Sequence, residues 1–190
     1  MVWEVVTPPN GEPVDLDRVR ADLRIDADNQ EEDELLTELI SEVRQFLELT
    51  CNRAMLPQTW RAYLPAFGDG LIRLSGGPFR AIDSIKYYDP DDALQTLDPS
   101  DYRAILAEPA RLQAVNAWPA TSDRIDAVEI RASVGYVDAA NVPGPLRRAI
   151  RALVAHHFVN REPVVIGSAV SELPLHVEKL IFPYRDGSTL

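Results

Sequence analysis

Histidine, cysteine and serine are the side chains from which catalytic and metal sites are most readily built, and this 190-residue chain offers three histidines and one cysteine. His156 and His157 are adjacent. Neighbours on a helix project about 100° apart, so the two cannot share one metal ion as i and i+4 histidines do. No cysteine or carboxylate stands near them at ligand spacing. His157 is expected on an apolar helix face with His156 beside it, in packing or hydrogen-bonding roles, and His176 is isolated. Cys51 has no partner for an internal disulfide and reads as a small buried apolar residue of a chain made in a reducing compartment. Ser133-Val134-Gly135 follows Ala132 and leads into no strand-turn-helix, so it is not a nucleophile elbow. Gly68-Asp69-Gly70 and Gly76-Gly77-Pro78 lack the lysine and following helix of a phosphate loop and read as hairpin turns. Asp91-Asp92 sits in a turn without a companion base. No catalytic residue, metal or cofactor is expected.

Charge carries more information. Of a net charge of −11, nearly all falls in residues 1–52, which hold 14 acidic and 4 basic side chains. Acid on this scale does not grip nucleic acid, which requires clustered Lys and Arg. It suits either a solvated helical face or a basic partner. Arg147, Arg148 and Arg151 form the opposite case, a basic patch off the apolar stripe of a later helix. They read either as a solvated face or as a subunit contact that meets the acidic face of a neighbour, with Glu31, Glu34 and Glu38 as the acids. Unlike faces on one molecule suit head-to-tail association, which closes into a ring when the rotation permits.

The elements that must position these groups can be read from periodicity. The first ten residues, with Pro8 and Pro9, read as an extended arm whose Trp3 packs against something. A short helix starts at Asp15, an N-cap, and runs to the Asp26–Asn29 cluster, with Leu16, Val19 and Leu23 at helical spacing. A second helix opens with Glu31, Glu32, Asp33 and Glu34, where the helix dipole favours acids. Leu35, Leu36, Leu39, Ile40, Val43, Phe46 and Leu47 form a wide apolar stripe on it, and Asn52 caps it. From Pro57 the period changes to two, with strands expected at residues 59–64, 71–74, 81–88, 102–106, 110–113 and 126–136. Helical spacing returns after Pro143-Gly144-Pro145, with Leu146, Ile150, Leu153, Val154, His157 and Phe158 on one side. A last short helix follows Leu173-Pro174, with Val177, Leu180 and Ile181 inward, and Pro183 ends it.

The expected class is α+β: a helical core, made of an N-terminal helix pair plus C-terminal helices, with an inserted small antiparallel β-rich region. The divisions are residues 1–56 for the arm and first core helices, 57–142 for the β-rich insertion, 143–182 for the C-terminal core helices and 183–190 for a C-terminal arm. No apolar run approaches the roughly 20 residues of a membrane span, so no membrane is expected. Met1 to Asn10 has neither the basic flank nor the apolar run of a signal peptide.

Taken in order, several segments resemble one family, the head–tail connector (adaptor) proteins of tailed phages, also encoded by gene transfer agents and prophages. They are Val6-Thr7-Pro8-Pro9, Pro13-Val14-Asp15-Leu16, Leu23-Arg24-Ile25-Asp26, Glu34-Leu35-Leu36 and Gln58-Thr59-Trp60. Ile72-Arg73-Leu74 and Ile82 through Asp89 follow, then Trp118-Pro119, Ala132 through Tyr136 and Val142-Pro143. Ala149-Ile150, His156 through Glu162, Leu173-Pro174 and Pro183-Tyr184-Arg185 complete the order. Ser75-Gly76-Gly77-Pro78 departs from the family's plain proline-flanked turn. The resemblance implies a non-enzymatic structural subunit at the neck of a phage-like particle, made in the bacterial cytoplasm. It implies a ring, twelve-fold by analogy, beneath the portal and around a channel through which DNA passes without sequence-specific binding. It also implies a C-terminal segment reaching the portal protein, with Phe182, Tyr184, Arg185 and Leu190 as contacts, and an opposite face that receives a stopper or tail-terminator protein. The competing readings are a nucleic-acid-binding accessory protein of phage or mobile-element origin, using Arg147, Arg148 and Arg151, and a small hydrolase, for which no residue constellation speaks.

Overall fold

A computed structural model describes residues 1–26, 28–160 and 174–185. The chain divides into two compact units. One consists of Met1–Asn10 and Pro57–Tyr136, the other of Gly11–Leu56 and Val137–Leu190.

The first unit is built on two antiparallel sheets. Strands β1 (Glu4–Thr7), β2 (Gln58–Leu64), β8 (Val128–Val134), β4 (Phe79–Tyr88) and β5 (Leu94–Thr96) form the larger one, in that order. Strands β3 (Ile72–Leu74), β7 (Ala110–Ala114) and β6 (Tyr102–Ile105) form the smaller. Strand β8 is central, and its residues alternate between buried and half-buried. Val128, Ile130, Ala132 and Val134 are fully buried, and Ile130 stands between Ala62 on β2 and Ile85 on β4. This is the period-two pattern of a sheet with one face on a core. Gly76 and Gly77 take φ of 83° and 142° before β4, a backbone that L side chains avoid, so the Gly-Gly-Pro breaker marks a real turn.

The sheet is not a small outgrowth of a helical core, and that expectation is corrected. Two strands went unread. The N-terminal arm is β1, paired with β2 from Glu4↔Arg61 to Thr7↔Thr59, and β5 extends the opposite edge against β4. Trp3 packs against Trp60 and Phe79 at ring separations of 6.1 and 5.4 Å, and its indole Nε1 donates to the Ser75 carbonyl at 2.8 Å. The five-stranded sheet thereby extends at both edges beyond a buried middle that includes Trp60, Ala62, Ile85, Ile130 and Ala132, and forms a unit with its own core. Elsewhere in this unit Phe67 and Trp118 stack at 4.9 Å, and Arg124 bonds both Asp126 oxygens at 3.0 Å while lying 3.9 Å over the Tyr88 ring.

The second unit contains α1 (Leu16–Leu23), α2 (Asp33–Cys51), α3 (Gly144–Val159) and α4 (Leu175–Ile181). Helix α1 ends at Arg24, in left-handed conformation, before the acidic cluster expected to stop it. Asn52 caps α2 in the same conformation, as the sequence suggests. Along α2 the buried residues are Leu36, Ile40, Val43, Leu47 and Cys51, a narrower stripe than expected: Phe46 is 47% exposed. Helix α3 packs against α1, α2 and α4. Its buried face is Leu146, Ala149, Ile150, Leu153 and Val154. Among the described residues three arginines, Arg20, Arg44 and Arg53, are buried in this unit. Arg20 bonds both Asp33 oxygens, and Arg44 donates to Glu12 and Glu48, each at 2.7 Å. Burial works against the Arg44 charge, but these two carboxylates outweigh it and raise its pKa.

Replacing Ile130 with alanine removes a fully buried side chain from the centre of the sheet, an expected loss of about 2–5 kcal/mol. Circular dichroism melts should show a drop of several degrees, and an unchanged melt would contradict this placement of the core. Acid should destabilise the chain in a defined window. The Ala93 amide and then Gln95 lower the pKa of Asp89, the Ser100 hydroxyl lowers that of Asp98, and the Arg124 guanidinium lowers that of Asp126. Carboxyls depressed in the folded state contribute stability above the unfolded value, near pH 4, and lose it as pH falls further. Denaturant melts from pH 6 down to about pH 2.5 should therefore show stability falling below about pH 4, with a shallower fall in Asp126→Asn.

Candidate assembly surface

The groups with potential for catalysis do not converge. His156 and His157 are both exposed on the last turn of α3, their rings 5.7 Å apart and edge to face, which corrects the expectation that His157 lies on the apolar face. Adjacent helical positions diverge, and Leu153 and Val154 take the inward places instead. Asn160 Nδ2 donates to the His156 carbonyl at 2.9 Å. Cys51 is buried, and burial pushes its thiol pKa up against the opposing pull of Arg185 and Arg53. Ser133 donates its hydroxyl to Asp83 at 2.8 Å across the sheet. Among the described residues no group of three His, Cys, Asp or Glu is placed to hold a metal ion, and no helix is long and apolar enough to cross a membrane.

The outer face of the larger sheet carries a charge ladder. Arg61 bonds Glu4 at 2.8 Å and lies 3.8 Å from Glu129, which also takes Arg131 at 2.9 Å. Tyr63 donates its hydroxyl to Glu129 at 3.1 Å. These charges are satisfied within the unit, so the ladder is a solvated face that fixes strand register.

In the helical unit the charges are less evenly matched. Arg151 is no longer free: it pairs with Asp22 at 2.9 Å, and Asp22 also lies 3.5 Å from Arg18. Arg147 and Arg148 have no side-chain partner among the described residues. Arg147 is half-buried with its Nε enclosed and unbonded, while Arg148 is exposed. Arg147 lines an open groove of about 580 Å³ with Pro13, Val14, Asp15, Arg18, Ala139, Ala140, Gly144 and Arg151. The acids expected opposite this patch are in the same state. Glu31, Glu34 and Glu38 are exposed and carry no ion pair, although Asp33 between them is held by Arg20. Asp26, Asp28 and Glu31 also line an open concavity before α2. The arginine patch and the acids thus belong to one unit and do not satisfy each other within it.

The C-terminal residues proposed to reach outward are partly tied down. Phe182–Tyr184 forms a 3-10 turn directly after α4, with Phe182 53% exposed. The Tyr184 carbonyl accepts from Arg53 Nε at 3.1 Å, and Arg185 lies 3.7 Å from Glu178. Leu190 lies outside the described residues. Arg53 is a positioning residue that the sequence did not reveal, because a single Arg after a helix cap has no spacing signature.

Residues 13–100 match the family model described as phage gp6-like head-tail connector protein. Among solved structures, a chain of the neck of an empty GTA particle computed with C6 symmetry is 21% identical, with a TM-score of 0.79. A chain of the virion of the native gene transfer agent particle is 20% identical with a TM-score of 0.76, and one from the native GTA neck computed with C12 symmetry is 21% identical with a TM-score of 0.73. Each comparison covers 97% of this chain and 95% of the other. No curated protein is similar enough in sequence to count as a match. The likeness read from the sequence is therefore borne out: residues 13–100 carry the sequence pattern of the gp6-like head-tail connector proteins, and the chain as a whole has the fold of chains in gene transfer agent particles.

Proposed function

We propose that this chain is a structural subunit of the head–tail junction of a phage-like particle, where copies form a ring that joins the portal to the tail. The observation that carries this reading is the concurrence of a connector family match over residues 13–100 with a neck-chain fold over 97% of the chain. The role is mechanical and no reaction is assigned to it. The portal protein is one partner, met through the segment around Phe182, Tyr184 and Arg185 and the following residues to Leu190. A stopper or tail-terminator protein takes the opposite face. The exposed Phe182 ring, on a turn fastened through Arg53 to Tyr184, suits such a contact: an aromatic anchor already held in place loses little entropy on binding. DNA passes through the ring without sequence-specific contacts. Copies associate head to tail through the unlike charges of the helical unit, with Arg147 and Arg148 on one side and Glu31, Glu34 and Glu38 on the other; Arg151, taken up by Asp22, is not among them.

Co-expression with the portal protein encoded beside it should give rings in negative-stain images, and wild-type chain that never forms rings with its portal overturns the proposal. The double variant Phe182→Ala/Tyr184→Ala should retain its melting temperature and lose roughly tenfold or more in affinity for the portal, as read by co-purification and interferometry. Undiminished binding would place the portal contact elsewhere. A filter-binding titration at about 50 mM salt should detect no duplex-DNA complex that weakens with added salt, and such a complex would favour the accessory nucleic-acid-binding reading instead.

A further inference from the structure

We infer that the groove beside Arg147 is the socket that receives the acidic turn and first helical turns of α2 from the next copy in the ring, with Arg147 and Arg148 as its gripping residues; the inference rests on the ring reading above. Three observations converge on it. The groove is open and large enough, at about 580 Å³, to admit a segment of chain. Its charge is positive and incompletely answered. Arg18 and Arg151 share one acid, Asp22, and Arg147 has an enclosed Nε with no hydrogen-bond partner; Arg148, the next residue on α3, does not line the groove but is exposed. The enclosed Nε itself is out of a neighbour's reach, but the terminal amino groups of Arg147, which have no partner among the described residues, can take a carboxylate brought by a neighbour in a charge-assisted bond.

The occupant follows from the same unit. Glu34 and Glu38 stand four residues apart on one side of α2, Glu31 lies in the turn just before it, and none of the three has an ion pair among the described residues. Dipole stabilisation accounts for acids in the first turn, but Glu38 lies beyond it. The socket and the acidic segment lie in one compact unit and form no ion pair with each other among the described residues, so a pairing between copies would be heterologous and propagate from copy to copy. DNA phosphate is a poorer fit. Two unpaired arginines, beside Asp15 and the Asp22 already shared by Arg18 and Arg151, fall short of the clustered Lys and Arg that a polyanion requires, whereas a few carboxylates on a short segment match them. Arg151, counted in the patch from sequence, is assigned instead to an internal role: its bond to Asp22 holds α3 against α1.

The test uses full-length chain co-expressed with its portal. Arg147→Glu/Arg148→Glu and, separately, Glu31→Arg/Glu34→Arg should each reduce the ringed fraction roughly tenfold or more, and combining all four changes should restore it. Thermal melts establish that each variant folds. For a readout independent of charge reversal, Arg148→Cys and Glu34→Cys chains are mixed within rings and oxidised; a disulfide-linked pair is expected, and Cys51 is buried and does not compete. Rings at wild-type yield in Arg147→Glu/Arg148→Glu would overturn the inference while leaving the ring itself standing. Failure of the four-fold variant to recover, together with absence of the cross-link, would overturn it too and would point to an acidic segment of the portal or stopper as the occupant. Wild-type chain that never forms rings is a different result, and it sinks the underlying reading.

Discussion

The rotational setting of α3 about its own axis decides what the helical unit offers to the outside. Leu146, Ala149, Ile150, Leu153 and Val154 are buried among three other helices, and a helix packed on that many sides has no freedom to turn. Since successive residues advance by about 100°, burying Leu146 and Ile150 forces Arg147 and Arg148 toward the margin and the outside. Arg151 follows Ile150 by one step and reaches Asp22 of α1. Thus one apolar packing arrangement generates both an internal clamp and an external pair of cations from a single run of sequence. The Pro143-Gly144-Pro145 start fixes where the helix begins, and so fixes which turn carries the cations.

Unsatisfied charge of both signs on one folding unit is informative because satisfied charge is abundant beside it. Arg20 and Arg44 each take two carboxylates, and Arg61, Arg124 and Arg131 are likewise paired. Exposed pairs contribute little to stability, so leaving a few charges unpaired scarcely weakens a single copy. Between copies the balance differs. In the ring proposed above each contact would be repeated, water would be displaced from the groove, and charge complementarity would set register and reject the wrong orientation.

Much of this was legible in the sequence, and the exceptions have physical causes. The long helix, its Asn52 cap, the proline-started α3 and the alternating strands were read correctly because each depends on local spacing. Strands β1 and β5 were not, since neither alternates: Glu4–Thr7 and Leu94–Thr96 are exposed throughout and become strands only through partners far away in sequence. Missing both made the sheet look like an insertion and not a unit with its own core. His157 was misplaced because near the end of α3 the inward stripe closes at Val154, before the apolar pattern itself stops. The Arg151–Asp22 pair was invisible for the opposite reason, being a tertiary contact between two residues with ordinary surface spacing. The charge asymmetry of the helical unit, by contrast, is legible in the sequence, because it depends on composition and not on tertiary contacts.

The edges of the larger sheet are blunted, which would leave contacts between copies in the proposed ring to side chains and not to strands. A free edge is a template for another chain's backbone, and folded proteins blunt it. Here β1 is four residues long, its register shifts between Val5 and Thr7, Glu4 sits on it and Pro8-Pro9 ends it. At the other edge β5 has three residues and is closed by Asp89, which accepts from the Ala93 amide and from Gln95. Each device shortens or bends the row of backbone groups that a neighbour would need. A chain that must assemble in one register among many identical copies gains from this arrangement. Backbone pairing is indifferent to sequence and tolerates slippage, whereas a socket that requires carboxylates at given positions does not.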